Sequence, residues 1–470
     1  MEGGSLMSDV ANTHVVLNAE GPQLSTQLSR RAALKRGIFG ALALYLGRSG
    51  VLPRHAWAFD PTLPATKPAK AKAVIQIWMW GGPPHLDTFD PKPEAGSDYC
   101  GPFTSPIATN VSGIRINELL TELAKIADKY SLIRSMAHGV NAHETASYLV
   151  QTGRMPGDRI VYPAVGAVVA YFKGQPPEYE GLIPPYIVLT EPQGRFSEAG
   201  FLGPRFKPFA TGGDPARTPF TVEGIVTPGV TVARQKSRRE LLQNLDLLRQ
   251  VMGDDPQIQE IKQAEEQAYD LILGTSGKAF DPSEEPQEVR EKYGTTTFGQ
   301  SCLVARRLVE RGVRYITINY KGWDTHKENF VVMRRKLPEF DRGLASLIQD
   351  LADRGLLDST IVWCCGEFGR TPKIAWEAPW NGGRHHYGPA FSALVAGGGF
   401  KGGHVVGATD RTGSEVKDRP VHPTDLIASM YELLGIDPET TIRHPQGYMV
   451  RLIPEPENGA TSGGLLREIM

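Results

Sequence analysis

Cysteine is scarce in this chain: 470 residues contain four, Cys100, Cys302, Cys364 and Cys365. That excludes a disulfide scaffold and leaves a Cys100–Cys302 bridge undecided. Neither charge sign dominates, since 51 Lys and Arg stand against 52 Asp and Glu. No basic excess therefore points to a nucleic-acid partner. Long apolar runs are missing too. The stretch from Ile38 to Leu46 is too short to span a bilayer comfortably, and no later segment is long enough. What is present is a globular composition, 40% hydrophobic, long enough for one large α/β domain or two ordinary ones. Glycine (51) and proline (36) exceed average usage and predict many loops around that core.

The first residues read as a targeting segment rather than as part of the fold. Ser29-Arg30-Arg31-Ala32-Ala33-Leu34-Lys35 has the form of a twin-arginine export signal, and Ala56-Trp57-Ala58 is a small-x-small cleavage site. The expectation is a signal over 1–58 and a periplasmic or extracellular protein with no membrane span once the signal is removed.

Beyond it, strand and helix patterns alternate. Ala73 to Trp80 reads as a first strand running into Gly81-Gly82, with Asp87 shortly after; Asp87 suits either a site or a turn cap. Asn117 to Tyr130 has helical spacing with Asn117 as N-cap, and Ser131 to Met136 reads as a short strand. A further helix is predicted to carry His143 at its N-terminus and to stop at Gly153. Residues 155 to about 235 read as loops with one strand, Tyr186 to Thr190, and Lys236 to Leu273 as charged helices. The whole of 155–300 is thus expected to be a loop-rich and helical insertion. Helix Phe298–Arg311 and strand Arg314–Asn319 lead to Asp324-Thr325-His326, an Asp-x-His pair suited to a metal, to acid chemistry or to a structural hydrogen bond. One or two helices over Asn329–Leu357 precede the apolar run Ile361 to Cys365, in which adjacent Cys364 and Cys365 face opposite sides. Glu367, Arg370, Arg384, His385 and His386 follow that run. Strand Ala390–Gly397 and helix Thr424–Leu434 complete an α/β/α sandwich with a central, mostly parallel sheet over 59–470.

The order of these pieces resembles the alkaline phosphatase and sulfatase superfamily. Asp341 to Gly369 is similar to the helix–strand unit that ends in Ser-Asp-His-Gly or Ser-Asp-Asn-Gly there. Leu119 to Arg154 is similar to the helix, strand and nucleophile-bearing helix that closes with Thr-Gly-Arg. Ala390 to Gly399 and Val421 to Asp437 resemble the later strand and helix. More closely, the chain resembles a twin-arginine-exported bacterial family of unassigned function (domain of unknown function 1501). Gly81-Gly82 with Asp87-Thr88, Gly322-Trp323-Asp324-Thr325-His326 and Gly366-Glu367-Phe368-Gly369-Arg370-Thr371 carry that likeness.

Against the sulfatases the departures are specific. The nucleophile position holds His143, the Asp-Asp after the first strand is Gly81-Gly82, and the later Asp-His is Glu367-Phe368. The resemblance therefore implies a remodelled metal site with Asp324, His326, Glu367, His386 and Asp87 as ligands. His143 would be ligand, base or nucleophile, and Arg370 and Arg384 would grip a tetrahedral anion. A mixed nitrogen and oxygen set suits Zn, Mn or Fe better than Ca. The expected function is metal-dependent hydrolysis of phosphate or sulfate esters, of small molecules or polysaccharides, without a formylglycine nucleophile. The competing expectation is a catalytically degenerate protein that binds an anionic glycan or a protein partner in the same compartment.

Overall fold

The apolar runs assemble side by side into one sheet. The computed structural model describes residues 67–157, 160–191, 198–217, 220, 222, 276–455 and 463–470. The expected signal at 1–58 and the charged helices over 236–273 lie outside the described residues. The strands are β1 (Ala73–Trp78), β2 (Tyr130–Met136), β3 (Tyr186–Leu189), β4 (Phe209–Ala210), β5 (Tyr315–Asn319), β6 (Thr360–Cys365), β7 (Phe391–Ala396) and β8 (Val405–Val406). Their order across the sheet is β8-β2-β7-β6-β1-β5-β3-β4. Only β7 runs against its neighbours, β2 and β6. β1 pairs in parallel with β5 and β6, so the central strands end at the same edge.

Burial on both faces explains the unbroken apolar strands. Ile75 and Ile77 of β1 join one core cluster, and Val74 and Trp78 join the other. Cys364 and Cys365 divide in the same way, and all four cysteines are free and buried. On the first face lie α1 (Thr121–Ala124), α4 (Gln287–Tyr293), α5 (Thr297–Glu310) and α6 (Asn329–Asp353). The opposite face carries α2 (His143–Thr152), α3 (Val165–Lys173) and α7 (Pro423–Leu433). The α/β/α sandwich is therefore as expected. Among the described residues, no helix is long and apolar enough to cross a membrane.

Helix α2 carries His143 at its first position. Gly153 ends it in the left-handed conformation at φ 71°, as the Gly stop predicts. Inside the core, Gln76 of β1 donates from Nε2 to Gln151 of α2 at 3.1 Å and accepts from Thr317 of β5 at 3.1 Å. These polar contacts tie α2 to the two central strands.

Two expectations change. The helix predicted over Asn117–Tyr130 shrinks to Thr121–Ala124 with a 3-10 turn at Ala127–Lys129, Tyr130 already opens β2, and Asn117 instead accepts a local bond from the Leu119 N–H. The start of α1 is capped from far along the chain: Asp341 of α6 accepts from the Glu122 and Leu123 N–H groups at 2.7 and 2.8 Å. The described part of 155–300 contains the expected strand as β3 and adds β4 and the buried helix α3, which were not expected.

Burial pushes the Asp341 carboxyl up to about 6, although both N–H donors work the other way. Asp341→Ala leaves two donors without their acceptor and should cost about 1–3 kcal/mol in chemical denaturation. Asp341→Asn keeps an acceptor without a buried charge and should cost clearly less.

Candidate metal centre

The loops after β1, β2, β5 and β6 converge with the N-terminus of α2 at one edge of the sheet, the usual place for chemistry in an open α/β fold. The turn after β1 is built by Gly81 and Gly82, at φ 114° and 81°. A Cβ on Gly81 would lie 2.3 Å from the Asp324 nitrogen, so no other residue lets these loops approach so closely. The Gly81 N–H donates to Glu367 at 3.0 Å. The carbonyls of Gly81 and Gly82 both accept from Arg370.

Glu367 has 0% of its side chain exposed, so its charge needs partners. Besides Gly81 it accepts from His143 Nδ1–H at 2.6 Å. That bond leaves His143 Nε2 as the ring's free position, 3.4 Å from Asp324 Oδ2. His386 is oriented in the same manner, since its Nδ1–H donates to the Asn141 carbonyl at 2.8 Å. Its Nε2 then faces Asp324 Oδ1 at 3.3 Å and His326 Nε2 at 2.8 Å. His326 Nε2 lies 3.1 Å from the same carboxylate oxygen, and its Nδ1 lies 2.9 Å from His385 Nδ1.

This arrangement suits a cation. Carbonyl and carboxylate partners fix the tautomers of His143 and His386, so two imidazole lone pairs point at a carboxylate, with acceptor facing acceptor. His143, Asp324 and His386 each offer a ligand atom, all within 4.8 Å of one another. Donors held about 2.0–2.2 Å from a common ion stand roughly 2.8–3.6 Å apart, and the contacts here run from 2.8 to 3.4 Å. In the metal-free protein a proton fills part of this role. Burial opposes charging His143, but the Asp324 and Glu367 carboxylates outweigh it and raise its pKa to about 9. Asp324 is also resisted by burial, yet His143, His386 and Arg370 hold it well below the usual carboxylate range. Burial lowers His326 to about 4.

The structure thus brings His143, Asp324, His326, Glu367 and His386 together, but the Glu367 carboxylate, expected as a ligand, is spent on the Gly81 N–H and on His143 Nδ1–H, which corrects that expectation. It does not bring Asp87 there. Asp87 and Arg384 are fully buried and form a two-pronged pair at 2.8 Å, while Asn329 Nδ2 also donates to Asp87 at 2.7 Å. The remaining Arg384 donors go to the carbonyls of Thr371, Pro372 and Tyr99. Arg384 therefore offers no fork to a substrate anion and Asp87 offers no oxygen to the centre, which corrects both expectations. Arg370 does reach the centre, but as a donor to Asp324 Oδ1 at 2.5 Å, with its other contacts on backbone carbonyls. Its expected grip on a substrate anion becomes a grip on Asp324.

Sequence reading missed His138. Its Nε2–H donates to the Glu367 carbonyl at 2.7 Å, the Val140 N–H donates to its Nδ1, and burial lowers it to about 4. Its place just past β2 is the same signal that singled out Asp324 and Glu367. Phe368 packs its ring 5.0 Å from that of His143 and 4.7 Å from that of His386.

Residues 71–458 match the family described as a protein of unknown function (DUF1501). The chain belongs to that family. No curated protein matches the sequence. Solved structures similar to this DUF1501 member include a sulfatase from Pseudoalteromonas sp. (12% identity, 86% of this chain and 72% of that one, TM-score 0.34). They also include the phosphonate monoester hydrolase of Agrobacterium radiobacter (10%, 78% and 74%, TM-score 0.35). A third is the alkaline phosphatase from the Antarctic bacterium TAB5 (11%, 70% and 92%, TM-score 0.33).

Glu367→Gln weakens the hold on His143 Nδ1–H and should lower metal affinity about 10–100-fold in chelator competition. The raised pKa of His143 gives a pH signature in chelated protein. Its stabilisation is fully present below about 6.5 and is lost as pH rises through about 9. Melting temperature should therefore fall over that window more steeply in the parent chain than in His143→Gln.

Proposed function

We propose that the protein is an exported, metal-dependent hydrolase of phosphate or sulfate esters that works without a formylglycine nucleophile. The observation that carries this reading is the convergence of the His143 and His386 lone pairs on Asp324. Asp324, His143 and His386 would hold a divalent ion, with His326 beside them, and the nitrogen-rich set favours Zn, Mn or Fe over Ca. When bound, such an ion polarises a phosphoryl or sulfuryl oxygen and acidifies water.

The protein's own groups do the rest. Glu367 and Asn141 keep both imidazoles turned inward, and Arg370 orients Asp324. The N-terminus of α2 faces the centre with His143 as its first residue, which places backbone N–H groups and the positive end of the helix dipole beside an anionic ester. His143 is read as a ligand, because its Nδ1 is engaged by Glu367 and its Nε2 aims at Asp324. The ordered motif resemblance to sulfatases supports ester hydrolysis, and the Arg30-Arg31 signal supports a periplasmic or extracellular location. A small-molecule or polysaccharide ester is the partner in this reading.

A second reading has its own support: neither arginine is free to hold an anion, and Gly81-Gly82 and Phe368 occupy positions where sulfatases carry polar residues. On this reading the chain is a degenerate relative that binds an anionic glycan or a protein in the same compartment.

Elemental analysis of purified protein together with a panel of aryl phosphate and sulfate esters separates the two. The hydrolase reading expects about one divalent ion per chain, turnover removed by chelation and restored by metal, and loss of both in Asp324→Ala and His386→Ala. Metal-loaded protein that turns over no ester would leave the binding role.

A further inference from the structure

One imidazole beside the centre faces another imidazole rather than the Asp324 carboxylate. His385 is pinned to Thr371 from both sides. The Thr371 N–H donates to the His385 carbonyl at 2.8 Å, and the His385 N–H donates to the Thr371 hydroxyl at 3.0 Å. Trp380 meets the His385 ring edge-on, with 4.7 Å between centroids. Held in this way, His385 Nδ1 lies 2.9 Å from His326 Nδ1.

Two ring nitrogens at hydrogen-bond distance share one hydrogen, so one of them is N–H and the other bare. The far edge of His326 decides which. Burial keeps His326 neutral, so its ring carries a single hydrogen. His326 Nε2 lies 2.8 Å from His386 Nε2, which is bare because His386 Nδ1–H donates to Asn141. It also lies 3.1 Å from Asp324 Oδ1. Facing two acceptors, His326 Nε2 carries the hydrogen in the metal-free protein, and its bare Nδ1 accepts from His385 Nδ1–H. To act as a ligand the same Nε2 must be bare, and the hydrogen of His326 then sits on Nδ1.

We propose that His385 is the positioning residue that lets His326 change tautomer, and so join the ligand set, without losing a hydrogen bond. His326 Nε2 releases its hydrogen to solvent, and His326 Nδ1 takes the one from His385 Nδ1. His385 is only partly buried, and its Nε2 gains a hydrogen from solvent in turn. His326 Nδ1–H then donates back to the bare His385 Nδ1 over the same contact. Each ring holds one hydrogen before and after, so neither titrates and no charge changes. The carbonyl that holds His386 and the carboxylate that holds His143 only accept, so each fixes a single tautomer. An imidazole can donate or accept and serves both forms of His326. The inference rests on the proposed metal centre and does not depend on ester turnover.

The test uses full-length protein with isotope-labelled histidine at about pH 8, above the ordinary imidazole range, first chelated and then loaded with zinc. Nitrogen resonances of the rings distinguish N–H from bare nitrogen, and the signals lost in His385→Asn assign His385. His385 Nδ1 should be N–H in the chelated protein and bare in the zinc-loaded one, while His326 Nδ1 changes the opposite way. In chelator competition His385→Leu should hold zinc about 10–100-fold more weakly. His385→Asn places an amide that can donate or accept near the Nδ1 position and should recover most of that loss. Unchanged melting curves establish that both variants fold. A His385 tautomer unmoved by zinc, or folded His385→Leu holding zinc as tightly as the parent chain, would overturn the proposal. Protein that takes up no zinc removes the centre and the proposal with it. The tautomer change in protein that turns over no ester keeps the proposal and removes the hydrolase reading alone.

Discussion

The contact on which the site depends is the bond from His143 Nδ1 to the buried carboxylate of Glu367. A carboxylate with no exposure is tolerated only when its oxygens are satisfied. Here the partners are a backbone N–H at the end of β1 and an imidazole at the start of α2, while the carboxylate follows β6. Three elements that meet nowhere near one another in sequence are thereby referenced to one group. His138 adds a fourth by holding the Glu367 carbonyl from the end of β2. Disturbing Glu367 would release the orientation of His143 and the closure of the glycine turn together.

Two buried arginines extend the same logic outward. Arg370 joins the glycine turn, the backbone of Arg384 and Asp324, whereas Arg384 joins Asp87 and three carbonyls. Planar forks with many donors suit such irregular loops, where carbonyls would otherwise lie buried without partners. The two arginines beside the centre are thus engaged in structure.

The elements legible in the sequence were those whose burial is uniform or whose ends are punctuated. β1 and β6 read directly as unbroken apolar runs, and Gly153 marked the end of α2. Helix α3 was hidden because Val165 to Phe172 is apolar almost all round, so no face stood out. The start of α1 was misplaced because its cap, Asp341, lies more than two hundred residues away. Within the site, position after a strand identified Asp324, His326 and Glu367 as chemistry-bearing. What residue type could not reveal was the choice of partner. Asp87 and Arg384 look like site residues in isolation, and only the fold shows that each is occupied by the other.

The reversed direction of β7 has a consequence of another kind. Because it runs against β6, the segment from Gly366 to Ala390 leaves the sheet and returns to it at the same edge. Both feet of that excursion stand at the candidate metal centre, Glu367 at one and His386 at the other, cross-linked by the short ladder between Gly369–Arg370 and His386–Tyr387. The stretch between the feet is itself tied down, since Arg384 pairs with Asp87, the Ile374 N–H donates to the Asp98 carbonyl, and Ala375 and Gly383 exchange backbone bonds. His386 is thereby held against Glu367 by the strand pair and the ladder, not by the chain that runs between them.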